Sequence, residues 1–200
     1  LEVCEIVMKS IFAKIEKEAQ KELKIFGATV PKIKTKIPRL KLKEAQKIIQ
    51  SKTKRNLENE MDLDPEGEKE ICKYVKEKYN SELVFITHFP AAKRPFYTFP
   101  DPEDENLTLS FDLLFRGLEI VTGGQRIHSY QMLKEKMKKF GLNPKNFEFY
   151  LQAFKYGMPP EGGFALGAER ITKQILGLEN VKEASLFPRD MTRIDKRLTK

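Results

Sequence analysis

The sequence predicts an α+β fold in which an antiparallel β-sheet is flanked by helices. Three observations support this class: a hairpin pattern at residues 110–124, a strand-like run, ELVFITHF, at 82–89, and separate amphipathic helical patterns toward both ends. With 200 residues, of which 40% are hydrophobic and 33% charged, the chain is long enough to bury a core of its own.

The first half of the chain is predicted to be mainly helical. Residues 2–26 repeat apolar side chains at helical spacing and are followed by glycine, which predicts one amphipathic helix. Residues 28–42 carry two prolines among alternating Ile and Lys, so a loop or an edge strand is expected. A short helix follows at 42–51, and another runs from the turn at Asp64 to about Tyr79.

The second half combines strands and helices. SFDLLFRGLEIVTGG at 110–124 predicts two strands around an Arg-Gly turn, and HSYQMLKEKMKKFG at 128–141 predicts a helix that stops at glycine. A helix with an Asn-Pro start is expected at 143–157, and a glycine-rich strand continues into a helix at 162–177. For the tail, 183–200, we expect a short strand and a basic end.

Charge and composition narrow the possible partners and compartments. The net charge is +8, and between Lys32 and Arg55 ten Lys or Arg residues face a single acid, Glu44. This segment would attract a polyanion, but the absence of aromatic residues equally fits a solvated surface. No stretch of about 18 apolar residues and no signal-peptide pattern is present, and the two cysteines are expected to be reduced thiols. A cytoplasmic protein without a membrane partner is predicted.

Two acidic residues in the hairpin are placed unusually. If Arg116-Gly117 is the turn, Asp112 faces Val121, and Asp112 and Glu119 share one sheet face while the other face is apolar. Two carboxylates close together require a cation or a proton. Oxygen ligands suit Mg²⁺, particularly when phosphate supplies further oxygens. The alternative is a solvated sheet face on which acids cost little.

Two glycine-rich stretches adjoin charged residues. TGGQR at 122–126 places Gln125 and Arg126 next to the acid pair, and an Arg side chain can bind carboxylate or phosphate with two parallel hydrogen bonds. GGFALGAER at 162–170 places Arg170 in the first turn of a helix, where backbone N–H groups point outward. It matches neither a Walker loop nor GxGxxG, and an anion site and a close-packing site remain equally supported.

Together these stretches resemble a known family. GGFALGAER with the following ITKQILGLENVKEASLFPRD resembles motif 3 of class II aminoacyl-tRNA synthetases. SFDLLFRGLEIVTGGQRIH is similar to the acidic strand pair and amino-acid-selecting segment of the aspartyl enzymes, and FEFYLQAFKYGMPP to their archaeal and eukaryotic-type branch. The resemblance is strong over residues 55–200 and loose over 1–54.

The resemblance implies ligation of L-aspartate to tRNA through aspartyl-adenylate, with ATP as substrate and Mg²⁺ as cofactor. Arg126, Arg170 and Glu119 would take part in catalysis, Arg126 by pairing with the aspartate side chain. Ala165 stands where motif 3 commonly has glycine. The implied binding residues are Glu119, Thr122 and Asp112 for the metal; Thr122, Gly123, Gly124, Gln125 and Arg126 for aspartate; and Glu119, Gly167, Ala168, Glu169 and Arg170 for ATP.

The resemblance also implies that a larger protein is involved. Motif 1, motif 2 and an anticodon-binding OB-fold would precede residue 1, so 1–200 is expected to be the C-terminal part of a catalytic domain, with a helical, basic subregion at about 28–80. The isolated chain is then expected to be inactive, and the full protein to be a homodimer that charges tRNA(Asp), with tRNA(Asn) as a second candidate. Open alternatives are an asparaginyl-tRNA synthetase, a tRNA-independent synthetase paralogue, and a non-catalytic tRNA-binding module.

Overall fold

The computed structural model describes residues 1–190. Helices and strands occur along the chain in the order α1 (Glu2–Glu18), α2 (Gln20–Ile25), β1 (Arg39–Lys41), α3 (Leu42–Thr53), α4 (Pro65–Tyr79), β2 (Leu83–Thr87), β3 (Ser110–Phe115), β4 (Leu118–Arg126), α5 (Tyr130–Lys139), α6 (Glu148–Gly157), β5 (Glu161–Leu166) and α7 (Ala168–Leu176). Short 3₁₀ helices lie at Pro144–Phe147 and Val181–Ala184.

The five strands form one sheet in the order β1-β2-β3-β4-β5. Strands β2 to β5 are antiparallel, whereas β1 runs parallel to β2, with Leu40 opposite Ile86. The predicted α+β class is confirmed, and so is an edge strand within residues 28–42. The predicted antiparallel sheet flanked by helices is found in β2 to β5, and β1 adds a parallel edge strand, because the chain reaches β2 through α3 and α4, a crossover long enough for a parallel pair.

Strand β3 is buried along its whole length because both sheet faces are covered. On one face, Phe115 packs against Phe12 of α1, with ring centroids 5.5 Å apart, in a core that α7 also enters. On the other face, Leu114 packs with Ile49 of α3 and Val75 of α4. Neighbouring strand residues point to opposite faces. The unbroken apolar run of β3 is therefore explained by two core layers.

A third apolar cluster closes the far end of the sheet. Helices α5 and α6 contribute Leu133 and Phe154, and the loop between β2 and β3 contributes Phe96, Tyr97 and Phe99. Isolated bridges pin this loop to its neighbours, for example between Thr98 and Arg126 in β4. The aromatic loop is thus a fixed wall beside the end of β4.

Further expectations from the sequence concern the N-terminal helix, the C-terminal tail, the cysteines and membrane-spanning helices. The helix predicted at 2–26 breaks at Ala19, because between Ile15 and the terminating glycine only Ala19 and Leu23 are half-buried. No strand forms between residues 183 and 190, and the basic end at 191–200 lies outside the described residues. Cys4 and Cys72 are buried free thiols, as expected. Over residues 1–190 no helix has the length and apolarity needed to cross a membrane.

Candidate active site

The β3–β4 hairpin carries the predicted acid pair in a register shifted by one residue. Leu114 lies opposite Glu119 as expected, but Asp112 lies opposite Thr122, and the prediction that it faces Val121 is wrong. The register shifts between Leu113 and Leu114, so Ile120 is an extra residue in β4, the arrangement of a β-bulge. The bulge places the Thr122 hydroxyl on the same sheet face as the Asp112 carboxylate.

Glu119 is held at the bulge by two side chains from other elements. Its backbone N–H donates to Oε2 of Glu68 in α4 at 3.1 Å, and its carbonyl oxygen accepts from Nη1 of Arg170 in α7 at 2.8 Å. The same Nη1 lies 3.5 Å from Oε1 of Glu119. The structure therefore brings together Glu119 and Arg170, which the sequence predicted, and Glu68, which it did not.

Asp112 is buried, with 6% of its surface exposed, so the solvated-face alternative is excluded. Its Oδ2 accepts a hydrogen bond of 2.6 Å from Nη2 of Arg94, while Oδ1 has no hydrogen-bond partner among the described residues. Burial raises the pKa of Asp112 above its ordinary value, although the Arg94 charge opposes this. Burial, and then the nearby Asp112 charge, also raise the pKa of Glu119.

This donor set is suited to a hard cation. Within residues 1–190 no group of three or more His, Cys, Asp or Glu side chains is placed to hold a metal, so the chain offers Asp112, Glu119 and the Thr122 hydroxyl. Mg²⁺ is commonly held by one or two carboxylates together with substrate phosphates and water. The unbonded Oδ1 of Asp112 and the repulsion between the two carboxylates therefore fit Mg²⁺ bound with a phosphate ligand.

Sequence reasoning missed Arg94, the first residue of the run RPFYTF. Its guanidinium carbon lies 3.7 Å from the centroid of the Phe89 ring, and Nη1 lies 3.5 Å from Oγ1 of Thr122. The signal that could have found Arg94 was Asp112, because a carboxylate inside an apolar strand needs a cationic partner. Arg94, which begins the aromatic segment RPFYTF, was the natural candidate.

A cavity of about 470 Å³ lies beside these groups at the end of β4. Arg126 lies at one side, with its guanidinium carbon 5.2 Å from the centroid of the Tyr97 ring, and within residues 1–190 it forms no ion pair with a carboxylate. Arg94 and Thr122 connect the cavity to Asp112. The other lining residues include Gly123, Gly124 and Gln125, so all five predicted aspartate-binding residues meet at this cavity.

A larger cavity of about 820 Å³ lies nearby, between Leu1, His88 and Phe164. It shares Ser110, Gly124, Gln125, Gly163 and Phe164 with the first cavity, but it is not lined by Arg94, Thr122 or Arg126. The smaller cavity is therefore the candidate site.

The glycines of this region have two different roles. A Cβ atom at Gly123 would lie 2.5 Å from Cβ of Phe164 in β5, and one at Gly124 would lie 2.8 Å from the carbonyl oxygen of Leu109. The groups that approach these two glycines are therefore neighbouring backbone and strand residues. Gly163 differs, because a Cβ there would meet nothing within 4 Å.

The start of α7 only partly matches the predicted nucleotide contacts. The N–H of Gly167, the N-cap residue, donates to the carbonyl oxygen of Ile120 at 2.9 Å, so this amide is already used within the protein. Ala168 and Glu169 are exposed in the first turn. Arg170 pairs with Glu119 rather than with Glu169, which leaves Glu169 as a first-turn acid.

The sheet, the motif order and the paired charges define a class II tRNA synthetase domain. A family model described as "tRNA synthetases class II (D, K and N)" matches residues 1–191, and the chain belongs to this family. This finding confirms the resemblance drawn from the sequence.

Curated relatives show which members of the family the chain is similar to. The chain is 49% identical over 173 residues to the aspartate–tRNA(Asp/Asn) ligase of Thermus thermophilus, covering 86% of this chain and 40% of the relative. It is 44% identical over 180 residues to the aspartate–tRNA(Asp) ligase of Pyrococcus furiosus, covering 90% and 41%. The chain thus spans less than half the length of these relatives.

Solved structures show the same fold. The aspartyl-tRNA synthetase of Entamoeba histolytica superposes with a TM-score of 0.89 at 33% identity, covering 97% of this chain and 41% of that one. The asparaginyl-tRNA synthetase of Pyrococcus horikoshii gives 0.82 at 28% identity, covering 96% and 46%. The fold is therefore shared by aspartyl and asparaginyl enzymes.

Proposed function

We propose that the chain is the C-terminal part of the catalytic domain of an aspartate–tRNA ligase, which joins L-aspartate to tRNA through aspartyl-adenylate. The observation that carries this proposal is Arg126, a cation without a carboxylate partner among the described residues, in a cavity that Arg94 connects to the buried Asp112. The relatives named as aspartate–tRNA ligases support the same assignment.

The proposed chemistry depends on bringing two anions together. The α-carboxylate of aspartate attacks the α-phosphorus of ATP, a P–O bond forms, and pyrophosphate leaves. Arg126 would hold the side-chain carboxylate and Arg170 a phosphate of ATP, so the protein acts mainly by positioning and charge stabilisation. Asp112, Glu119 and Thr122 would hold Mg²⁺, which neutralises phosphate charge when it is bound. The exposed residues at the start of α7 would adjoin the nucleotide.

The amino-acid specificity follows from the charge of Arg126. Asparaginyl enzymes share the fold, so the fold alone does not choose between aspartate and asparagine. A guanidinium without a bound carboxylate favours an anionic side chain over an amide, because a charged group left unpaired in a binding site is costly. We therefore propose aspartate as the amino acid, tRNA(Asp) as the acceptor with tRNA(Asn) as a second candidate, and a cytoplasmic homodimer as the full protein.

The proposal is tested by ATP–pyrophosphate exchange with the full-length protein that contains this chain. Exchange is expected to depend on aspartate and to be far weaker with asparagine at equal concentration. The 200-residue chain alone is expected to show no aspartate-dependent exchange. Preference for asparagine would overturn the aspartate assignment, and exchange by the isolated chain would overturn its assignment as a part of the domain.

The alternative of a tRNA-binding module rests on the basic segment between residues 32 and 55. Lys41, Lys43 and Lys47 are exposed on β1 and α3. Such a module would bind tRNA with an affinity that falls steeply with salt, because phosphate contacts release counterions. If the isolated chain binds tRNA and neutralising these three lysines abolishes binding, this alternative gains support.

A further inference from the structure

The backbone of Glu119 is bonded by side chains from outside the sheet. In an antiparallel sheet the N–H and C=O groups of one strand residue point to one neighbouring strand and those of the next residue point to the other, and β5 pairs with β4 only from Val121 onward. At Glu119 the N–H instead donates to Glu68 and the C=O accepts from Arg170, while the carbonyl of the following residue, Ile120, accepts from the N–H of Gly167. Three groups from α4 and α7 therefore hold the bulge in β4.

Glu68 reaches Glu119 from a firmly anchored position. It lies in the first turn of α4, whose N-cap, Asp64, accepts from the N–H of Gly67 at 2.9 Å and forms a 2.7 Å ion pair with Arg55. The helix also packs tightly on the hairpin turn, because a Cβ atom at Gly117 would lie 2.8 Å from Cγ of Lys69. The carboxylate of Glu68 is thus delivered to the bulge by a fixed element.

The bulge decides which residues face Asp112. Without it, the two-residue turn would place Asp112 opposite Val121, and Thr122 would point to the opposite sheet face, because side chains alternate along a strand. In the observed register Asp112 faces Thr122. Leu114 lies opposite Glu119 in either register, so the bonds to Glu119 fix the residue that precedes the bulge, while the N–H of Gly167 holds the extra residue, Ile120.

On this basis we infer that Glu68 is a positioning residue for the nucleotide site: it fixes the backbone of Glu119, the residue before the bulge, and thereby keeps the Glu119 carboxylate on the sheet face that carries Asp112. Glu68 itself contacts neither substrate nor metal in this scheme and acts through the backbone of Glu119. The inference rests on the proposed function for its consequence, which is binding of ATP with a divalent cation.

Three variants of the full-length protein test this role. Glu68→Met keeps a similar side-chain volume but cannot accept a strong hydrogen bond, Glu68→Gln keeps an acceptor oxygen, and Glu70→Ala removes a carboxylate from the same helix that is not bonded to the bulge. Two quantities are measured: hydrogen–deuterium exchange of the peptide that contains Glu119, and the dissociation constant of ATP with Mn²⁺ as a spectroscopic probe.

We expect Glu68→Met to expose the Glu119 amide to faster exchange and to weaken MnATP binding about 10- to 100-fold, the usual range for outer-shell partners of a metal site. Glu68→Gln is expected to restore most of both quantities, and Glu70→Ala to leave both unchanged. In kinetics, the KM for ATP should rise in Glu68→Met while the KM for aspartate stays close to that of the wild type.

Two results would overturn the inference. One is wild-type amide protection and MnATP affinity in Glu68→Met, and the other is a Glu68→Gln variant as impaired as Glu68→Met, which would assign the effect to charge rather than to the hydrogen bond. A failure of the proposed function is distinguishable, because it appears as absent aspartate-dependent exchange in the wild type. Hydrogen–deuterium exchange of the Glu119 amide tests the positioning role of Glu68 in either case.

Discussion

The arginines in the two halves of the candidate site differ in their partners. In the half formed by the bulge, Arg94 and Arg170 are both engaged, with Nη atoms 2.6 Å from Asp112 and 3.5 Å from Glu119. In the half formed by the end of β4, Arg126 rests against Tyr97 and has no carboxylate partner within the described residues. The first half is organised by the protein itself, whereas the second has a cation available for a ligand.

The difference indicates what each half can recognise. Paired carboxylates and arginines, the buried Asp112 with Arg94 and the partly exposed Glu119 with Arg170, hold one another in place, so a phosphate or a divalent cation meets a site that is already organised. An unpaired arginine beside an aromatic wall gains its partner only from the ligand, so it can distinguish an acid from an amide. Under the proposed function, the bulge half would set the geometry and the Arg126 half would set the amino-acid specificity.

The largest expected effect comes from removing the free cation. Arg126→Leu in the full-length protein should lower kcat/KM for aspartate by about 4 kcal/mol, roughly a thousandfold, because the substrate carboxylate would be left without its partner. The measurement is aspartate-dependent ATP–pyrophosphate exchange. Arg39→Leu, on the exposed edge strand β1, is the matched control and should leave exchange unchanged. Unaltered aspartate kinetics in Arg126→Leu would remove Arg126 from the site.

In the bulge half, removing an arginine should affect folding before it affects recognition. Arg94→Ala leaves Asp112 buried without a cation and should lower the free energy of unfolding by about 3 kcal/mol. Lys93 provides the control, because its 3.4 Å pair with Asp62 is exposed and Lys93→Ala should cost less than about 1 kcal/mol. Urea unfolding measures both, and equal losses would contradict the assignment of Asp112 and Arg94 as a buried pair.

Two glycines beside the site also differ in their surroundings: Gly123 is closely packed, whereas Gly163 faces open space. Gly123→Ala forces a Cβ to within 2.6 Å of the carbonyl oxygen of Gly163 and should destabilise the fold by about 2 kcal/mol. Gly163→Ala meets open space and should change stability by less than about 0.5 kcal/mol. Urea unfolding again compares them, and a Gly123→Ala variant as stable as Gly163→Ala would show that β4 and β5 can separate locally at no cost.

The sequence indicated which residues lie close together at the candidate site better than it indicated how these residues pair. Periodicity, glycine stops and caps located most helices and strands because these signals are local. The bulge was missed because no local pattern at Glu119 or Ile120 indicates an extra residue, and the groups that bond to these two residues come from α4 and from the start of α7, about 50 positions away in the chain. Arg94 was missed for the same reason: the buried partner of an acid is chosen by tertiary packing, and a sequence reveals only that a partner is needed.

The smallest expected effect concerns the pH dependence of stability. Burial raises the pKa of Glu68 from its ordinary value of 4.5 to about 7, and the charges of Glu119 and Asp112 act in the same direction, against the hydrogen bond from the Glu119 N–H and the charge of Arg170. Between these two values the folded chain keeps a proton that the unfolded chain releases, so the free energy of unfolding should fall as pH rises through this window.

Glu68→Gln removes this titration and serves as the reference. Relative to it, the wild-type chain should lose stability between about pH 4.5 and 7, by roughly 1 kcal/mol or less because water screens the half-exposed side chain. Urea unfolding of both proteins at pH 5, 6, 7 and 8 gives the difference, and Glu70→Gln on the same helix should track the wild type. If the free energies of unfolding of the wild type and Glu68→Gln differ by the same amount at every pH, the pKa of Glu68 is not raised. Glu68 then carries a negative charge in the bulge half, in addition to the charges of Asp112 and Glu119. The contrast with the Arg126 half would then be sharper, because two arginines would balance three carboxylates and the site would depend more strongly on an incoming divalent cation.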